Sequence, residues 1–208
     1  MAIKIGINGF GRIGRMVLRS IIENNRKDIE VVAINNRAKS EVSNFLLKHD
    51  TIHGKFKAKL SYSDQSLDIN GKKIAMTHET EISKIDWGKN KIDVVLECTG
   101  KFNTKEKSAQ HIKSGAKKVL VSAPCKGAIN IVFGVNHNTL KKSDQVISAA
   151  SCTTNCLAPV AHVINEEFGI ERGFMTTIHS YTTDQRLLDN SHKDLRRARS
   201  APNSIIPT

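Results

Sequence analysis

The stretch "AIKIGINGFGRIG" (residues 2–14) decides the fold of this chain. Its first half, "AIKIGIN", alternates into a short apolar run that ends at glycines, which predicts a buried strand. From Arg12 to about Glu23 the apolar residues recur on one helical face, and "EVVAIN" (30–35) predicts a second strand. A strand, a glycine turn, a helix and a strand within about 35 residues form a βαβ unit with parallel strands.

The same alternation continues along the chain. Further strands are predicted at "IDVVLECTG" (92–100), "KKVLVSA" (117–123), "INIVFGV" (129–135) and "QVISAAS" (145–151), with a helix over 104–115 and an antiparallel insertion within 55–80. The pattern predicts an α/β protein with a Rossmann-type doubly wound parallel sheet.

The character of the chain changes after Ser151. Apolar residues there follow helical spacing up to a stop at Gly169, and "GFMTTIHSYTT" (173–183) predicts another strand. We therefore expect a nucleotide-binding domain over 1–150 and the start of a second, α+β domain over 151–208. The second segment is too short for a core of its own.

Composition narrows the class of protein. The 208 residues are 39% hydrophobic and 25% charged, as in an ordinary soluble globular protein. No apolar run approaches the ~20 residues of a membrane span, and the first residues do not resemble a secretion signal, so we expect a cytoplasmic protein with no membrane partner. The net charge of +12 with only 5% aromatic residues favours phosphate-bearing metabolites over nucleic acid, which is at most a secondary partner.

"GFGRIG" (9–14) matches G-x-G-x-x-G between a predicted strand and a predicted helix. Gly9 permits the tight turn, Gly11 lets a pyrophosphate approach the backbone, and Gly14 lets the helix pack closely on the sheet. The helix N-terminus then attracts the phosphates. The alternative is a purely structural turn in some other α/β protein.

The end of the second strand bears on which dinucleotide would bind. An NAD site usually has an acidic residue there, but this chain has Asn36 followed by Arg37. Asparagine removes a charge that would repel a 2′-phosphate, and Arg37 can pair with one. Alternatively, Asn36 still binds the ribose and Arg37 is solvated, and both interpretations stay open at this point.

Cys152 lies where a predicted strand turns into a predicted helix, a position that favours a nucleophilic thiolate. His179, on the strand predicted after that helix, is a candidate partner, although a core histidine is the commoner outcome. Cys156 is expected to be packed within the helix. One C-x₃-C without a second ligand pair does not predict a zinc site, so no metal is expected.

Four blocks carry a resemblance to a known family. "INGFGRIGR" (7–15), "ASCTTNCLAP" (150–159), "HSYTTDQRLLD" (179–189) and "HKDLRRAR" (192–199) resemble the glyceraldehyde-3-phosphate dehydrogenases, especially the bacterial ones. The resemblance implies phosphorylating oxidation of glyceraldehyde 3-phosphate with inorganic phosphate in glycolysis or gluconeogenesis, NAD as cofactor and a homotetramer. Cys152 would be the nucleophile and His179 the general base.

Other site residues follow from the same resemblance, position by position. The expected cofactor contacts are Gly9, Gly11, Arg12, Ile13, Gly14, Asn36, Arg37, Thr99, Gly100, Ser122 and Ser191. The expected substrate and phosphate ligands are Ser151, Thr153, Thr182, Asp184 and Arg197.

The chain also departs from the family pattern. NAD-specific members usually carry Asp at position 36 and Leu-Pro at 190–191, where this chain has Asn36 and Asn190-Ser191, so we expect NADP to be accepted beside NAD. Thr80 replaces a usual arginine near the adenine. The family sequence continues beyond "SIIPT", and we expect the 208-residue chain alone to be poorly folded or inactive, because its catalytic sheet would expose an unpaired edge.

Two alternatives remain beside this function. One is the sister enzyme erythrose-4-phosphate dehydrogenase, which releases an acid by hydrolysis. The other is a non-catalytic basic Rossmann protein that binds nucleic acid or senses oxidants through Cys152.

Overall fold

A computed structural model describes residues 2–207. Strand β1 (Ile3–Asn8), helix α1 (Arg12–Glu23) and strand β2 (Ile29–Asn35) follow one another, and β1 pairs in parallel with β2. The predicted βαβ unit is therefore confirmed, with the helix bounds as expected. A register shift between Ile5 and Gly6 interrupts the pairing once.

Within the described residues, the sheet has nine strands in the order β3-β4-β5-β2-β1-β6-β7-β9-β8. The strands after β2 are β3 (Leu60–Ser63), β4 (Ser66–Ile69), β5 (Lys72–Thr77), β6 (Val94–Glu97), β7 (Lys118–Val121), β8 (Ile129–Asn130) and β9 (Val146–Ser148). Pairing is parallel from β5 across to β8, and the strand order reverses direction at β1, as in a doubly wound sheet.

The predicted antiparallel insertion is present as the hairpins β3–β4 and β4–β5. Strand β5 also joins the main sheet in parallel beside β2. Asn70 and Gly71 turn the chain between β4 and β5, both with positive φ. The insertion therefore extends the sheet rather than forming a separate layer.

The helices cover both faces of the sheet. Helix α1 and helix α2 (Ser40–Lys48) pack on one face, where Ile7, Phe10 and Ile34 are at most 1% exposed. Each such side chain contributes roughly 1.5–3 kcal/mol by leaving water. On the other face Trp87 is 1% exposed and lies against Gly6, where a Cβ would come within 2.8 Å of the indole ring.

The strands predicted over 92–100, 117–123 and 145–151 are present but shorter, as β6, β7 and β9, and two other elements differ more. The helix over 104–115 is broken at Ala109 into α3 (Lys105–Ser108) and α4 (Gln110–Lys113), and the chain leaves it at Gly115 with φ +99°. The strand over 129–135 is wrong beyond its first two residues, because Val132 to Asn136 turn back in local hydrogen bonds such as Val135 N–H to the Val132 carbonyl.

Helix α5 (Cys152–Phe168) follows β9 closely and ends before Gly169, as predicted. It contains Pro159 and has no buried residue. Its apolar side chains are exposed, with Val163 at 60% and Phe168 at 85%.

The residues up to Phe168 form one compact unit, and those from Gly169 onward form another. The second unit has one short 3₁₀ helix, Leu195–Ala198. The strand predicted over 173–183 is wrong: these residues form no strand or bridge. The domain boundary expected at residue 150 stays a prediction.

No helix among residues 2–207 is long and apolar enough to cross a membrane.

Candidate functional site

The glycine turn joins β1 to α1 in a shape that side chains would disturb. Gly9 has φ +90°, a backbone conformation that L-residues rarely adopt. A Cβ at Gly14 would lie 2.3 Å from the carbonyl oxygen of Gly9, so this turn of the helix touches the loop backbone directly. By contrast, a Cβ at Gly11 would meet nothing within 4 Å. The space next to Gly11 is therefore open to a ligand.

Helix α1 begins without a side-chain cap. Gly11 is its N-cap residue, and the first turn contains no acidic residue. The backbone N–H groups of that turn and the positive end of the helix dipole therefore face the opening beside Gly11. This is the arrangement that binds phosphate groups in dinucleotide sites.

A cavity of about 390 Å³ lies at this edge of the sheet. It is lined by Gly9 and Gly11 of the turn, by Asn36 and Arg37 after β2, and by Thr99 after β6. The carboxyl ends of adjacent parallel strands thus bring together candidate cofactor residues that the sequence places far apart. Its position at the reversal of strand order is where doubly wound sheets bind ligands.

Asn36 is held from two sides. Its Oδ1 accepts a long hydrogen bond of 3.4 Å from the Phe10 N–H, and its Nδ2 donates to Ser43 Oγ at 3.1 Å. Arg37 is exposed at the same cavity wall. This wall therefore presents a neutral amide beside an accessible cation, which suits a phosphate better than a carboxylate would.

Arg12, an expected pyrophosphate contact, is paired with a carboxylate. It is exposed, and its Nη1 donates to Asp50 Oδ2 at 2.8 Å. Asp50 also accepts the N–H groups of His53 and Ile52, at 2.8 and 3.0 Å. These backbone bonds, with Arg12, lower the pKa of Asp50 to about 2. Arg12 is thus directed at a fixed carboxylate, and Ile13 beside it is 51% exposed.

The nicotinamide-side candidates cluster around a residue that the sequence analysis did not single out. Glu97, the last residue of β6, is 1% exposed and accepts hydrogen bonds from the Thr99 N–H at 2.7 Å and the Thr99 hydroxyl. Its carbonyl accepts the Ser122 N–H at 3.0 Å. Gly100 follows with φ +71°. A glutamate ending an otherwise apolar strand was the sequence signal that could have identified it.

Cys152 is the first residue of α5 and its side chain is exposed. Ala150, with φ +57°, turns the chain out of β9. Ser151 Oγ accepts the Thr154 N–H at 2.9 Å, as an N-cap serine does. Thr153 is half-buried next to the thiol. A cysteine at such a helix start lies in the field that favours a thiolate.

The other cysteines differ from Cys152. Burial raises the pKa of Cys98 to about 11, and burial also raises the pKa of the Cys125 thiol, which is 3% exposed. Neither is suited to nucleophilic attack near neutral pH. The expectation that Cys156 is packed is wrong: it is exposed, since no part of α5 is buried in this structure.

The second unit gathers three of the expected phosphate ligands. Arg197 Nη1 donates to Asp184 Oδ2, which also lies 3.5 Å from His192 Nε2. The hydrogen bond from Arg197 is the main cause that lowers the pKa of Asp184. The Thr182 N–H donates to Gln185 Oε1 at 3.0 Å within the same loop.

The remaining candidates of this unit are Ser191 and His179. Ser191 lines an open cavity of about 610 Å³ beside Asp184, and its carbonyl accepts two N–H groups of Arg186 at 2.8 and 2.9 Å. His179 is exposed, and its Nδ1 lies 2.6 Å from the Ser180 carbonyl oxygen. Cys152 belongs to the first unit and His179 to the second, so their pairing stays a prediction.

Within residues 2–207, no group of three or more His, Cys, Asp or Glu side chains is arranged to hold a metal ion.

Comparisons with known proteins match both parts of the chain to one family. Residues 3–105 match the family described as glyceraldehyde 3-phosphate dehydrogenase, NAD binding domain, and residues 151–208 match its C-terminal domain. The glyceraldehyde-3-phosphate dehydrogenase of Cereibacter sphaeroides is 54% identical over 209 residues, and that of Geobacillus stearothermophilus is 53% identical over 210. Glyceraldehyde-3-phosphate dehydrogenase 1 of Bacillus subtilis is 50% identical over 210.

Each of these alignments covers all of this chain and 62% of the relative. The chain therefore spans just under two thirds of the length of the curated relatives it matches. The matches favour neither the erythrose-4-phosphate enzyme nor a non-catalytic protein.

Proposed function

The chain belongs to the glyceraldehyde-3-phosphate dehydrogenase family, and from this premise we propose that it acts in the phosphorylating oxidation of glyceraldehyde 3-phosphate to 1,3-bisphosphoglycerate in glycolysis or gluconeogenesis. Residues 1–150 bind the cofactor, and residues 151–208 carry the nucleophile as part of the catalytic domain. The observation that carries the proposal is the exposed thiol of Cys152 at the first residue of α5.

In the proposed mechanism, His179 takes the thiol proton of Cys152, the thiolate adds to the aldehyde carbon, and His179 returns the proton to the oxygen to give a thiohemiacetal. The N–H groups at the start of α5 stabilise the oxyanion that develops. His179 takes the hydroxyl proton while the hydride leaves the same carbon, which gives a thioester on Cys152. When bound, NAD supplies the nicotinamide that accepts this hydride. An oxygen of inorganic phosphate then attacks the thioester carbonyl and releases the acyl phosphate and the Cys152 thiolate.

Hydroxyl groups and one guanidinium bind the phosphates in this proposal. Ser151 and Thr153 donate near the thiol, and Thr182 and Arg197 donate from the second unit. Arg197 has five N–H donors, so it can keep its bond to Asp184 and still bind a phosphate oxygen. Asp184 then serves to orient the guanidinium.

The cavity beside the glycine turn fits a dinucleotide by its shape and charge. The open space at Gly11 and the uncapped N-terminus of α1 suit a pyrophosphate, and Thr99, Gly100 and Ser122 are the proposed contacts on the nicotinamide side. Gly9 and Gly14 shape the turn, while Arg12 and Ile13 flank it. Arg12 must share its guanidinium with Asp50 to reach the pyrophosphate.

We further propose that NADP is accepted beside NAD. The neutral Asn36 and the exposed Arg37 at the adenosine wall support this, and Ser191 would add a hydroxyl donor. The natural assembly is proposed to be a cytoplasmic homotetramer, as the family resemblance implies.

The test compares two cysteines on one helix. Cys152→Ala is expected to abolish phosphate-dependent NADH formation from glyceraldehyde 3-phosphate, while Cys156→Ala, also exposed and one turn further along α5, keeps most of it. NADH absorbance is followed with and without inorganic phosphate. Full activity in Cys152→Ala, or NADH formation that does not depend on phosphate, would refute the proposal.

A further inference from the structure

A buried hydrogen-bond network lies directly beneath the proposed cofactor cavity. Its centre is Glu97, whose side chain is fully buried at the carboxyl end of β6. Oε1 accepts the Thr99 N–H and hydroxyl, and Oε2 accepts Asn8 Nδ2 at 2.6 Å. His111 Nε2, also fully buried, lies 2.9 Å from Oε2. Four polar groups thus converge on one carboxyl group.

Trp87 determines which ring nitrogen of His111 carries the proton. An indole nitrogen is only a donor, and Trp87 Nε1 lies 2.9 Å from His111 Nδ1. His111 Nδ1 is therefore the acceptor and carries no proton, which places the single ring proton on Nε2, facing Glu97. The Nε2–H of His111 therefore donates to Glu97 Oε2, as one of the four donors that meet this buried carboxyl group.

The network continues along the floor of the cavity. Because Asn8 Nδ2 donates to Glu97, its Oδ1 faces the other way and accepts Asn35 Nδ2 at 2.8 Å. Asn35 Oδ1 in turn accepts the Glu79 N–H and the Thr77 hydroxyl, both at 2.9 Å. Glu97 therefore orients the Asn8 amide, and the backbone of Glu79, which donates to Asn35 Oδ1 and accepts from Asn35 Nδ2 at 3.0 Å, orients the Asn35 amide that meets it.

We propose that Glu97 is a positioning residue for the cofactor, held in its acceptor state by His111 and Trp87. Its carboxylate ties the Thr99 loop to Asn8, the residue that precedes the glycine turn. It thereby holds the two sides of the cavity at a fixed separation before any ligand arrives. This inference rests on the proposed NAD site, and it assigns a role to a residue that does not line the cavity.

The test is the nearly isosteric change Glu97→Gln. The amide has one acceptor and one NH₂ group, so whichever way it turns, its NH₂ faces N–H or O–H donors of the protein. We expect the dissociation constant for NAD, measured by calorimetry, to rise about tenfold or more. The control Ser66→Ala removes a buried hydroxyl contact at the sheet edge and should change the constant by less than about twofold.

A double variant shows whether Glu97→Gln weakens NAD binding by disturbing the hydrogen-bond network or by damaging the fold. In Trp87→Phe/Glu97→Gln, His111 no longer has to accept from an indole, so its proton can move to Nδ1 and Nε2 can accept from the new amide. We expect the double variant to bind NAD more tightly than Glu97→Gln alone. A purely structural role predicts the opposite, since the double variant also loses part of a buried ring.

The outcomes separate this inference from the proposed function. If the wild-type protein does not bind NAD, the proposed function fails. If the wild-type protein binds and Glu97→Gln binds equally well, the positioning role is overturned. Should Glu97→Gln not fold, nitrogen NMR of wild-type His111 decides: a protonated Nδ1 near neutral pH would overturn it, and a bare Nδ1 beside a protonated Nε2 supports it.

Discussion

Two separate variants, Gly14→Ala and Gly11→Ala, distinguish the contribution of the glycine turn to packing from its contribution to ligand binding. Gly14→Ala places a methyl group 2.3 Å from the Gly9 carbonyl oxygen, and Ile7 Cγ2 is only 3.1 Å away. The nearest atom belongs to the backbone and cannot move aside as a side chain would. Gly11→Ala places the same methyl group where nothing lies within 4 Å, at φ −72°, which alanine adopts readily.

The expected magnitudes follow from these contacts. At position 14, alanine gains about 1 kcal/mol of helix propensity but overpacks a tight contact at a cost of roughly 3 kcal/mol, so the protein loses about 2 kcal/mol. For a chain of this size that lowers Tm by about 4–8 °C. At position 11, alanine is a poorer N-cap than glycine but also restricts the unfolded chain, and these effects nearly cancel.

Gly11→Ala should weaken NAD binding, although it hardly changes the stability of the protein. If the pyrophosphate approaches the backbone there, the added methyl group occupies its place, and we expect the dissociation constant for NAD to rise about tenfold or more. Thermal unfolding and calorimetric titration of both variants provide the two measurements. A Gly11→Ala protein with wild-type affinity would show that no phosphate binds at this turn. A Gly14→Ala protein with wild-type Tm would contradict the packing argument.

Two further predictions concern single carboxylates. Asn36→Asp should lower kcat/KM for NADP more than for NAD, because the new carboxylate repels a 2′-phosphate beside Arg37. If the wild-type protein prefers NAD by more than about a thousandfold in kcat/KM, the proposal that it uses NADP is refuted. The pKa of Asp50 is lowered to about 2 by the His53 N–H above all, so its stabilisation is complete above pH ~4 and is lost as the pH falls toward 2. Urea unfolding across this range should show a shallower acid dependence for Asp50→Asn, and an unchanged slope would contradict this assignment.

Local sequence rules predicted the parts of the fold that depend on near neighbours. The turn at residues 9–14 and helix α1 follow from glycine spacing and apolar periodicity, and both lie where expected. The same holds for the start of α5 at Cys152 and its end before Gly169. Each of these features is set by contacts within one or two helical turns.

Predictions failed where a segment needed a distant partner. The stretch 173–183 predicts a strand, yet a strand forms only where another strand supplies hydrogen bonds, and none pairs with these residues in the described structure. Cys156 and the apolar residues of α5 have helical spacing, but spacing does not say which surface covers them. The segment 129–135 likewise prefers local turns after two paired residues.

The sequence by itself determined the glycine turn, the parallel βαβ unit and the family, because each depends on residue types at short, fixed spacing. The tertiary structure alone decided that Asn8 meets Glu97, which lies 89 residues away, and that Trp87 sets the tautomer of His111 between them. These contacts arise because β6 pairs with β1, and strand order depends on contacts between residues far apart in the sequence. Buried polar groups must find partners wherever the sheet brings them together, so their pairing depends on topology.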